Sequence, residues 1–570
     1  MTFLRRVLPP FALAALIVAL PMQHVRAQTG APLVEGVAGA FLSGRLAVSE
    51  DDFAQIADSY DRALAGEPDN AMFRELAMQG NILTGNDARA VDLATRATEA
   101  GENGQIANVI LQADAFRRGD YAAVIDAVQE GRLSGPLTDA MAIAWAELGR
   151  GSMSEALAAF DTAIEERAEL APFALYQKAL ALAFVGDLER AATILTGEPE
   201  GPVSLSRRGV VAHMTILSQL GRFDEARTLG EQMFGSTPDD DVAAIMAALE
   251  QGEPVPFTTI GSAADGMAEV YFTLASALVG ERSDWLPIIY GRLALALRPD
   301  HGDAILLTGQ LFERASQHAL ADQVYDLMPE DSLQYLGAQL GRANALYQSG
   351  QPDKAIDSLF ALAEARPGSV LVFSTLGDML RREQRFDEAA SAYTAAIDLI
   401  DEIEERHWVL LYTRAIAYER MGEWDLAEPE FRSVLDFVPD EPQVLNYLGY
   451  SLVEQRRNLD EALEMIERAV EGEPDSGYIV DSLGWAYYRL GRFEDAVPVM
   501  EHAVELMPSD PILNDHLGDV YWAVGREREA RFQWRRALSF GPHPDMDSDL
   551  VRRKLEVGKD AAMQEFEAAE

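Results

Sequence analysis

The sequence predicts an all-α fold, a solenoid of stacked helix-turn-helix units, and three recurrences near its C-terminus indicate this fold. Prolines recur every 34 or 35 positions, at Pro439, Pro474, Pro508 and Pro542. Between them a Leu-Gly pair returns at Leu448-Gly449, Leu483-Gly484 and Leu517-Gly518. Alanines return at Ala462, Ala496 and Ala530, and again at Ala469, Ala503 and Ala537. A period of this length is typical of repeats built from paired helices.

The unit from Tyr478 to Pro508 shows why each interval predicts two helices. Its first apolar stripe has helical spacing and comprises Val480, Leu483, Gly484 and Tyr487. Gly491 follows as a predicted left-handed helix end. A second stripe comprises Phe493, Ala496, Met500, Ala503 and Val504, and Pro508 closes the unit.

Small residues in this unit mark where two helices must come close together. Gly484, Ala496 and Ala503 occupy such positions, and larger side chains there would push the helices apart. Neither helix can bury its apolar stripe alone, so each unit must stack on its neighbours to form a core.

The order Leu-Gly-x-x-Tyr, Gly, Ala, a large apolar residue, Ala and Pro resembles the tetratricopeptide repeat. The resemblance is strongest over residues 408–542 and continues in weaker form over 335–400. It implies a right-handed superhelix of roughly a dozen helix pairs at about 34 residues each, with a C-terminal capping helix. One departure lies at Arg456-Arg457, where the turn glycine is missing and a longer turn is expected.

The pattern continues towards the N-terminus in a degenerate form. Turn glycines are predicted at Gly85, Gly119, Gly149, Gly186 and Gly221. Residues 236–266 are rich in proline, glycine and threonine, a composition typical of a connector. We therefore expect a degenerate array over 28–255, a second array over 256–545, and a capping helix with a tail over 546–570.

The first 27 residues have the pattern of a secretory signal peptide. Arg5 and Arg6 precede an apolar run over 11–20, and Val25-Arg26-Ala27 supplies the small residues of a cleavage site before Gln28. The alternative is an uncleaved membrane anchor, but the run is half the ~20 residues that span a bilayer. The sequence therefore predicts a periplasmic protein without a membrane-spanning segment after cleavage.

Composition limits the chemistry and the partners. The chain has no cysteine, which excludes disulfides, thiol catalysis and cysteine-ligated metals. Its formal net charge is −46, and removing Arg5, Arg6 and Arg26 with the signal peptide would bring it to −49. Such a surface repels nucleic acid and anionic lipid and favours neutral or basic protein partners.

A basic cluster near the C-terminus runs against this charge. It comprises Arg526, Arg528, Arg531, Arg535, Arg536, Arg552, Arg553 and Lys554. One interpretation is the polar outer face that a terminal repeat needs. The other is a docking patch for an acidic surface, either of a partner or of this chain's own acidic body.

No recognisable catalytic or cofactor motif appears in the sequence. The eight histidines show no metal-ligand spacing, and no nucleophile motif or phosphate-binding glycine loop is present. Asp545, Asp547, Asp549 and Glu556 have the spacing of a calcium loop, but Leu550 stands where that loop needs glycine. We interpret these acids as a helix N-terminus. The sequence thus predicts a non-enzymatic protein with no cofactor and no metal site.

The resemblance also implies which residues face the concave groove, because the first helix of each repeat lines it. Counted from the Leu-Gly glycines, the positions include Gln443, Val453 and Ile512. The nine residues predicted to bind peptide are Asn446, Tyr450, Tyr478, Asp481, Trp485, Tyr488, Asp515, Asp519 and Trp522. Their aspartates would favour a peptide amine, Lys or Arg. The alternative is that the aromatic residues Trp485, Tyr488 and Trp522 pack between adjacent repeats.

The function predicted from these patterns is a non-catalytic periplasmic scaffold or adaptor that binds a protein or peptide. The chain is similar to bacterial envelope adaptors, some of which deliver substrates to processing proteases while others serve envelope assembly. Two alternatives stay open, a chaperone-like holder of exported chains and an enzyme with an unrecognised site. The oligomeric state is not determined by the sequence.

Overall fold

The structure, a computed structural model, describes residues 36–166, 170–197, 201, 203, 205–235, 240–280, 284–332, 334–541, 543 and 546–568. These residues form 31 α-helices and one 3₁₀ helix and contain no strand, which confirms the predicted all-α class. Within the described part, no helix is long and apolar enough to cross a bilayer. The predicted signal peptide, Pro542 and Asp545 lie outside the described residues.

The chain divides into two compact units, and the first comprises the described residues between 36 and 235 together with those of Ile245–Arg298. Its helices are α1 Val37–Ser49, α2 Phe53–Gly66, α3 Ala71–Leu83, α4 Asp87–Glu99, α5 Gln105–Arg118, α6 Tyr121–Gln129, α7 Pro136–Gly149, α8 Met153–Glu166, α9 Ala171–Phe184, α10 Leu188–Leu195, α11 Arg207–Gln219, α12 Phe223–Phe234, α13 Asp240–Glu250, α14 Ala263–Ala277 and α15 Trp285–Leu297. The start of α13 belongs to the second unit. Whether the repeats divide near residue 255 stays a prediction.

The second unit runs from Pro299 to the C-terminus. Its helices are α16 Gly302–Arg314, α17 His318–Tyr325, α18 Tyr335–Gln348, α19 Pro352–Ala365, α20 Val370–Arg382, α21 Phe386–Asp398, the 3₁₀ helix Glu405–His407, α22 Trp408–Arg420, α23 Trp424–Phe437, α24 Pro442–Glu454, α25 Leu459–Gly472, α26 Gly477–Arg489, α27 Phe493–Leu506, α28 Pro511–Ala523, α29 Glu527–Ser539, α30 Ser548–Val557 and α31 Lys559–Glu567. Two short helices therefore follow the last repeat, rather than the single capping helix expected.

In the first unit a helix pair covers one face of the repeat array. Helices α3, α5, α7 and α9 contact one another in order, and α14 and α15 pack across them. The Tyr271 hydroxyl donates a hydrogen bond to Gln112 Oε1 at 3.0 Å, and Arg292 Nε donates to the Leu83 carbonyl at 3.1 Å. A side chain at Gly266 would meet the Trp145 ring at 2.4 Å. This face is therefore filled by the chain itself.

The turn glycines are confirmed with one correction. Gly85, Gly119, Gly186 and Gly221 have positive φ angles between 69° and 88°. Gly149 was wrongly assigned, because it closes α7 and the positive φ of 83° falls on Gly151. A Cβ at position 149 would meet the Tyr121 ring at 2.6 Å, so this glycine serves close helix packing instead of the turn.

The turns of the second unit also follow the predicted pattern. Gly491 has a φ of 75° and lies in the three-residue turn between α26 and α27. The turn between α24 and α25 has four residues, 455–458, as the missing glycine predicted. Arg456 and Asn458 there adopt φ values of 54° and 45°, a left-handed backbone that non-glycine residues rarely take.

The Leu-Gly glycines lie where the two helices of each repeat come closest. A Cβ at Gly449 would lie 2.9 Å from the Ala462 carbonyl oxygen, and one at Gly518 would lie 2.5 Å from Trp534 Cδ1. At Gly484 the nearest atom would be Cγ of Met500, at 2.7 Å. The alanines facing these glycines are fully buried. The predicted close approach is therefore confirmed, and it sets the spacing of each helix pair.

We expect Gly449→Ala to destabilise the second unit more than Gly484→Ala does. The new methyl group at position 449 meets backbone, which cannot rotate away, whereas at position 484 it meets only the adaptable Met500 side chain. Overpacking of this kind costs about 1–3 kcal/mol. Thermal unfolding followed by circular dichroism measures the difference, and equal melting temperatures for the two variants would contradict this packing.

Candidate binding groove

The first helices of the last three repeats form one continuous surface that carries all nine predicted peptide-binding residues. Helix α24 contacts α26, and α26 contacts α28. Asn446 and Tyr450 lie on α24, four of the residues lie on α26, and the remaining three lie on α28. We call this face of α24, α26 and α28 the inner surface.

Four of the nine residues line one cavity, which we call the inner cavity. They are Asn446, Tyr450, Tyr478 and Asp481, and the cavity has a volume of about 360 Å³. Asp510 and His516, from the following repeat, complete its wall. Tyr478 is 56% exposed, while Asp481 is only 5% exposed. The cavity thus combines an accessible aromatic ring with a buried carboxylate.

A stack of three rings borders this cavity. His516 lies 4.2 Å from Trp485 and Trp485 lies 4.8 Å from Tyr488, measured between ring centroids, with interplanar angles of 16° and 17°. Trp485 Nε1 also donates a hydrogen bond to Glu454 Oε1 of the preceding repeat at 2.6 Å. Trp485 therefore bridges three successive repeats. His516 was missed by the sequence analysis, although it directly follows the predicted Asp515.

The other five predicted residues contact the C-terminal helices α30 and α31. Lys554 Nζ lies 2.9 Å from carboxylate oxygens of both Asp515 and Asp519. Lys559 Nζ lies 3.1 Å from Asp519 Oδ2. The same Nζ atom lies 4.2 Å from the centroid of the Tyr488 ring and 5.9 Å from the centroid of the Trp485 ring. Trp522 Nε1 donates to Asp560 Oδ2 at 3.1 Å.

This part of the inner surface is therefore covered by the chain's own C-terminus. Whether its five residues bind a peptide stays a prediction. Lys559 was missed by the sequence analysis, although the rarity of lysine in this chain was a usable signal. The whole chain has four lysines, Lys178, Lys354, Lys554 and Lys559, and two of them contact Asp519.

Different residues of the basic cluster fit the two interpretations given above, the polar outer face and the docking patch. Lys554 docks on the chain's own acidic residues, whereas Arg553 forms ion pairs at 2.6 Å with Glu556 and Glu565 on the exposed side of α30 and α31. The helix N-terminus expected from the acidic spacing is confirmed at Asp547. Its carboxylate accepts from the amides of Asp549 and Leu550, both at 2.9 Å, and so caps α30.

Burial and the neighbouring charges together shift the pKa values of this site. Burial would raise the pKa of Asp519, but the ammonium groups of Lys554 and Lys559 outweigh it and lower that pKa. Burial raises the pKa of Asp515, and the neighbouring Asp519 charge adds to this effect. Burial would lower the pKa of Lys554, but the two carboxylates raise it. Lys554 is therefore held in its charged form.

Comparison with known proteins identifies the repeats in the second unit. A sequence model of the tetratricopeptide repeat matches residues 340–402, 412–479 and 482–543. These segments include α24, α28 and all of α26 except Val480 and Asp481, and these are the helices of the inner surface. Residues 340–402, 412–479 and 482–543 therefore carry tetratricopeptide repeats.

A curated protein is similar to only part of this chain. A TPR repeat-containing protein of Pseudomonas aeruginosa is 29% identical over 189 residues, which are 33% of this chain and 31% of the relative. The chain thus matches about a third of that relative's length.

Two solved structures align with parts of the chain. A tetratricopeptide repeat protein from Parabacteroides merdae aligns at 14% identity and a TM-score of 0.39, over 45% of this chain and 98% of its own. One chain of the APC/C hetero-tetramer Cut9-Hcn1 aligns at 16% identity with a TM-score of 0.37. The alignment covers 79% of the present chain and 96% of that chain. Protein-protein interaction is the general role of such repeats.

We expect Lys554→Met to destabilise the last repeat, because it leaves Asp515 and Asp519 buried without one of their cations. Breaking a buried ion pair costs on the order of 3 kcal/mol. Arg552→Met is the matched control, since Arg552 pairs with Asp549 at the exposed surface. Hydrogen exchange of the α28–α31 amides measures the effect. Equal protection in the two variants would contradict the assigned role of Lys554.

A second prediction concerns pH. Burial opposes protonation of His516, but Asp481, Asp515 and Asp519 outweigh burial and raise its pKa. Protonated His516 therefore stabilises the fold, fully below its ordinary pKa of about 6.5, and this stabilisation is lost as pH rises through the raised value.

The difference in melting temperature between the wild type and His516→Gln should accordingly be larger at pH 6 than at pH 9. His502→Gln, which changes an exposed histidine of the same unit, is the control. A difference that stays constant with pH would show that His516 does not supply this stabilisation.

Proposed function

We propose that this protein is a non-catalytic scaffold of the periplasm that holds an extended segment of a partner protein in its inner cavity. The observation that carries the proposal is the contrast within the inner surface. Helices α30 and α31 cover Asp515 and Asp519, whereas Tyr478 in the wall of the inner cavity is 56% exposed.

The character of the inner cavity supports a polypeptide ligand. Tyr450 and Tyr478 offer large rigid contact areas with few rotatable bonds, which suits an extended backbone with varied side chains. Helices of successive repeats supply the wall, so a ligand could run across several repeats. The strongly acidic chain favours a neutral or basic partner.

The periplasmic location and the non-catalytic role rest on the sequence. The N-terminal pattern is that of a cleaved signal peptide. No catalytic motif was found, and the repeats account for most of the chain. Within the periplasm, such a scaffold would serve envelope assembly or deliver substrates to a processing protease.

Site-specific photocrosslinking tests the binding role. We expect benzoylphenylalanine at Tyr450 to crosslink a small set of defined proteins in living cells, because this side chain lines the inner cavity. The same label at Leu426, an exposed residue on the second-helix side at α23, is the matched control. N-terminal sequencing of the protein from the periplasmic fraction should begin at Gln28.

The crosslinking pattern separates the possible roles. Discrete products at position 450 that are absent at position 426 support a scaffold. A broad ladder of unrelated proteins at position 450, with suppression of their aggregation in vitro, would support a chaperone-like holder instead. Equal crosslinking at both positions would contradict binding in the inner cavity.

A further inference from the structure

Two acceptor atoms in the wall of the inner cavity have no hydrogen-bond partner among the residues that the structure describes. They are Oδ1 of Asp481 and Oδ1 of Asn446. The other carboxylate oxygen of Asp481, Oδ2, lies 2.8 Å from His516 Nδ1. Buried acceptors without partners cost roughly 1–3 kcal/mol each, so a native site that retains them is suited to receive a donor.

The remaining carboxylates of the cavity are already engaged. Asp510 caps α28 by accepting from the amides of Ile512 and Leu513 at 2.8 and 3.0 Å. Glu419 accepts from the Tyr447 hydroxyl at 3.1 Å. The cavity's arginine, Arg420, lies 5.4 Å from the Phe386 ring centroid. Among the buried side-chain acceptors of this cavity, Asp481 Oδ1 and Asn446 Oδ1 are those that lack a partner within the described residues.

These two residues occupy the same position in successive repeats. Each lies three residues before its Leu-Gly glycine, as does Asp515 in the repeat that follows. Because α24, α26 and α28 contact one another in order, the three side chains form a ladder of acceptors along the inner surface.

The third of these side chains, Asp515, shows which kind of group an acceptor at this repeat position can bind. Asp515 is met by the ammonium group of Lys554, with Nζ to Oδ distances of 2.9 and 3.0 Å. Beside it, the Lys559 ammonium lies 4.2 Å from the Tyr488 ring centroid, a cation–π contact. The C-terminal helices thus place two lysines against aspartate and tyrosine on this surface.

We propose that the inner cavity binds a primary ammonium group, from a lysine side chain or the N-terminus of an extended polypeptide, through Asp481 Oδ1 and Asn446 Oδ1. An ammonium group has three donors and no acceptor, which matches two unpaired acceptors. Tyr450 and Tyr478 line the same cavity, as Tyr488 lies beside Lys559. This site rests on the proposed function, since it names the ligand of the same cavity.

A random nonapeptide library on beads tests this site against the purified full chain. One form of the library has free N-termini and the other has acetylated N-termini, which distinguishes the two sources of the ammonium group. The protein is used as wild type, as Asp481→Asn, and as the control Glu464→Gln. Glu464 is an exposed residue of α25, and its change removes the same charge away from the cavity.

We expect wild type and Glu464→Gln to enrich peptides with lysine at one fixed position, or peptides that require a free N-terminus. Replacing that lysine by norleucine, or acetylating that N-terminus, should weaken the dissociation constant at least tenfold, because a charge-assisted hydrogen bond is lost. Asp481→Asn should bind the modified and unmodified peptides about equally. His516→Gln should retain the preference, which separates a direct role of Asp481 from one through His516.

The other outcomes are also informative. An enriched consensus without an essential ammonium group overturns the ammonium site and leaves the proposed binding role intact. A preference that survives Asp481→Asn also overturns this site. Absence of any enriched peptide with the wild type overturns both proposals, and unchanged circular dichroism spectra verify that each variant is folded.

Discussion

Close contact between the two helices of each repeat is the constraint on which this structure depends. At Gly449 and Gly518 the facing helix leaves no room for a Cβ atom, and the alanines opposite are fully buried. A helix pair this tight has one favourable packing arrangement, so the remaining faces of each first helix are fixed as well. The inner surface, with its aspartates and aromatic rings, is a consequence of that arrangement.

Charge decides how much of this surface is accessible. Lys554 is almost completely buried in a chain of formal net charge −46, and the two aspartates beside it make that burial tolerable. The ion pairs hold α30 and α31 against the last repeat. The first unit shows a comparable arrangement, because α14 and α15 pack across the helices that would otherwise be its accessible face. Each unit thus covers part of its own array.

The C-terminal helices also indicate how a ligand could be recognised. Lysines contact Asp515 and Asp519 beside an aromatic ring, and the equivalent Asp481 one repeat earlier has an oxygen without a partner. Because repeats place equivalent residues in equivalent surroundings, chemistry seen at one repeat is a guide to its neighbours. The shared position makes the cavity, rather than the covered region, the site to examine for partners.

The sequence by itself determined the helix pairs and most of their turns, and it placed the nine predicted residues on first helices, because local periodicity and glycine conformation encode these features. It failed at Gly149, where glycine serves packing against Tyr121 and the turn falls on Gly151. Only the tertiary structure decided which inner residues stay accessible. Lys554 lies 39 positions from Asp515, and His516 lies 35 from Asp481. Contacts of that separation depend on how whole helices pack, which no local pattern records.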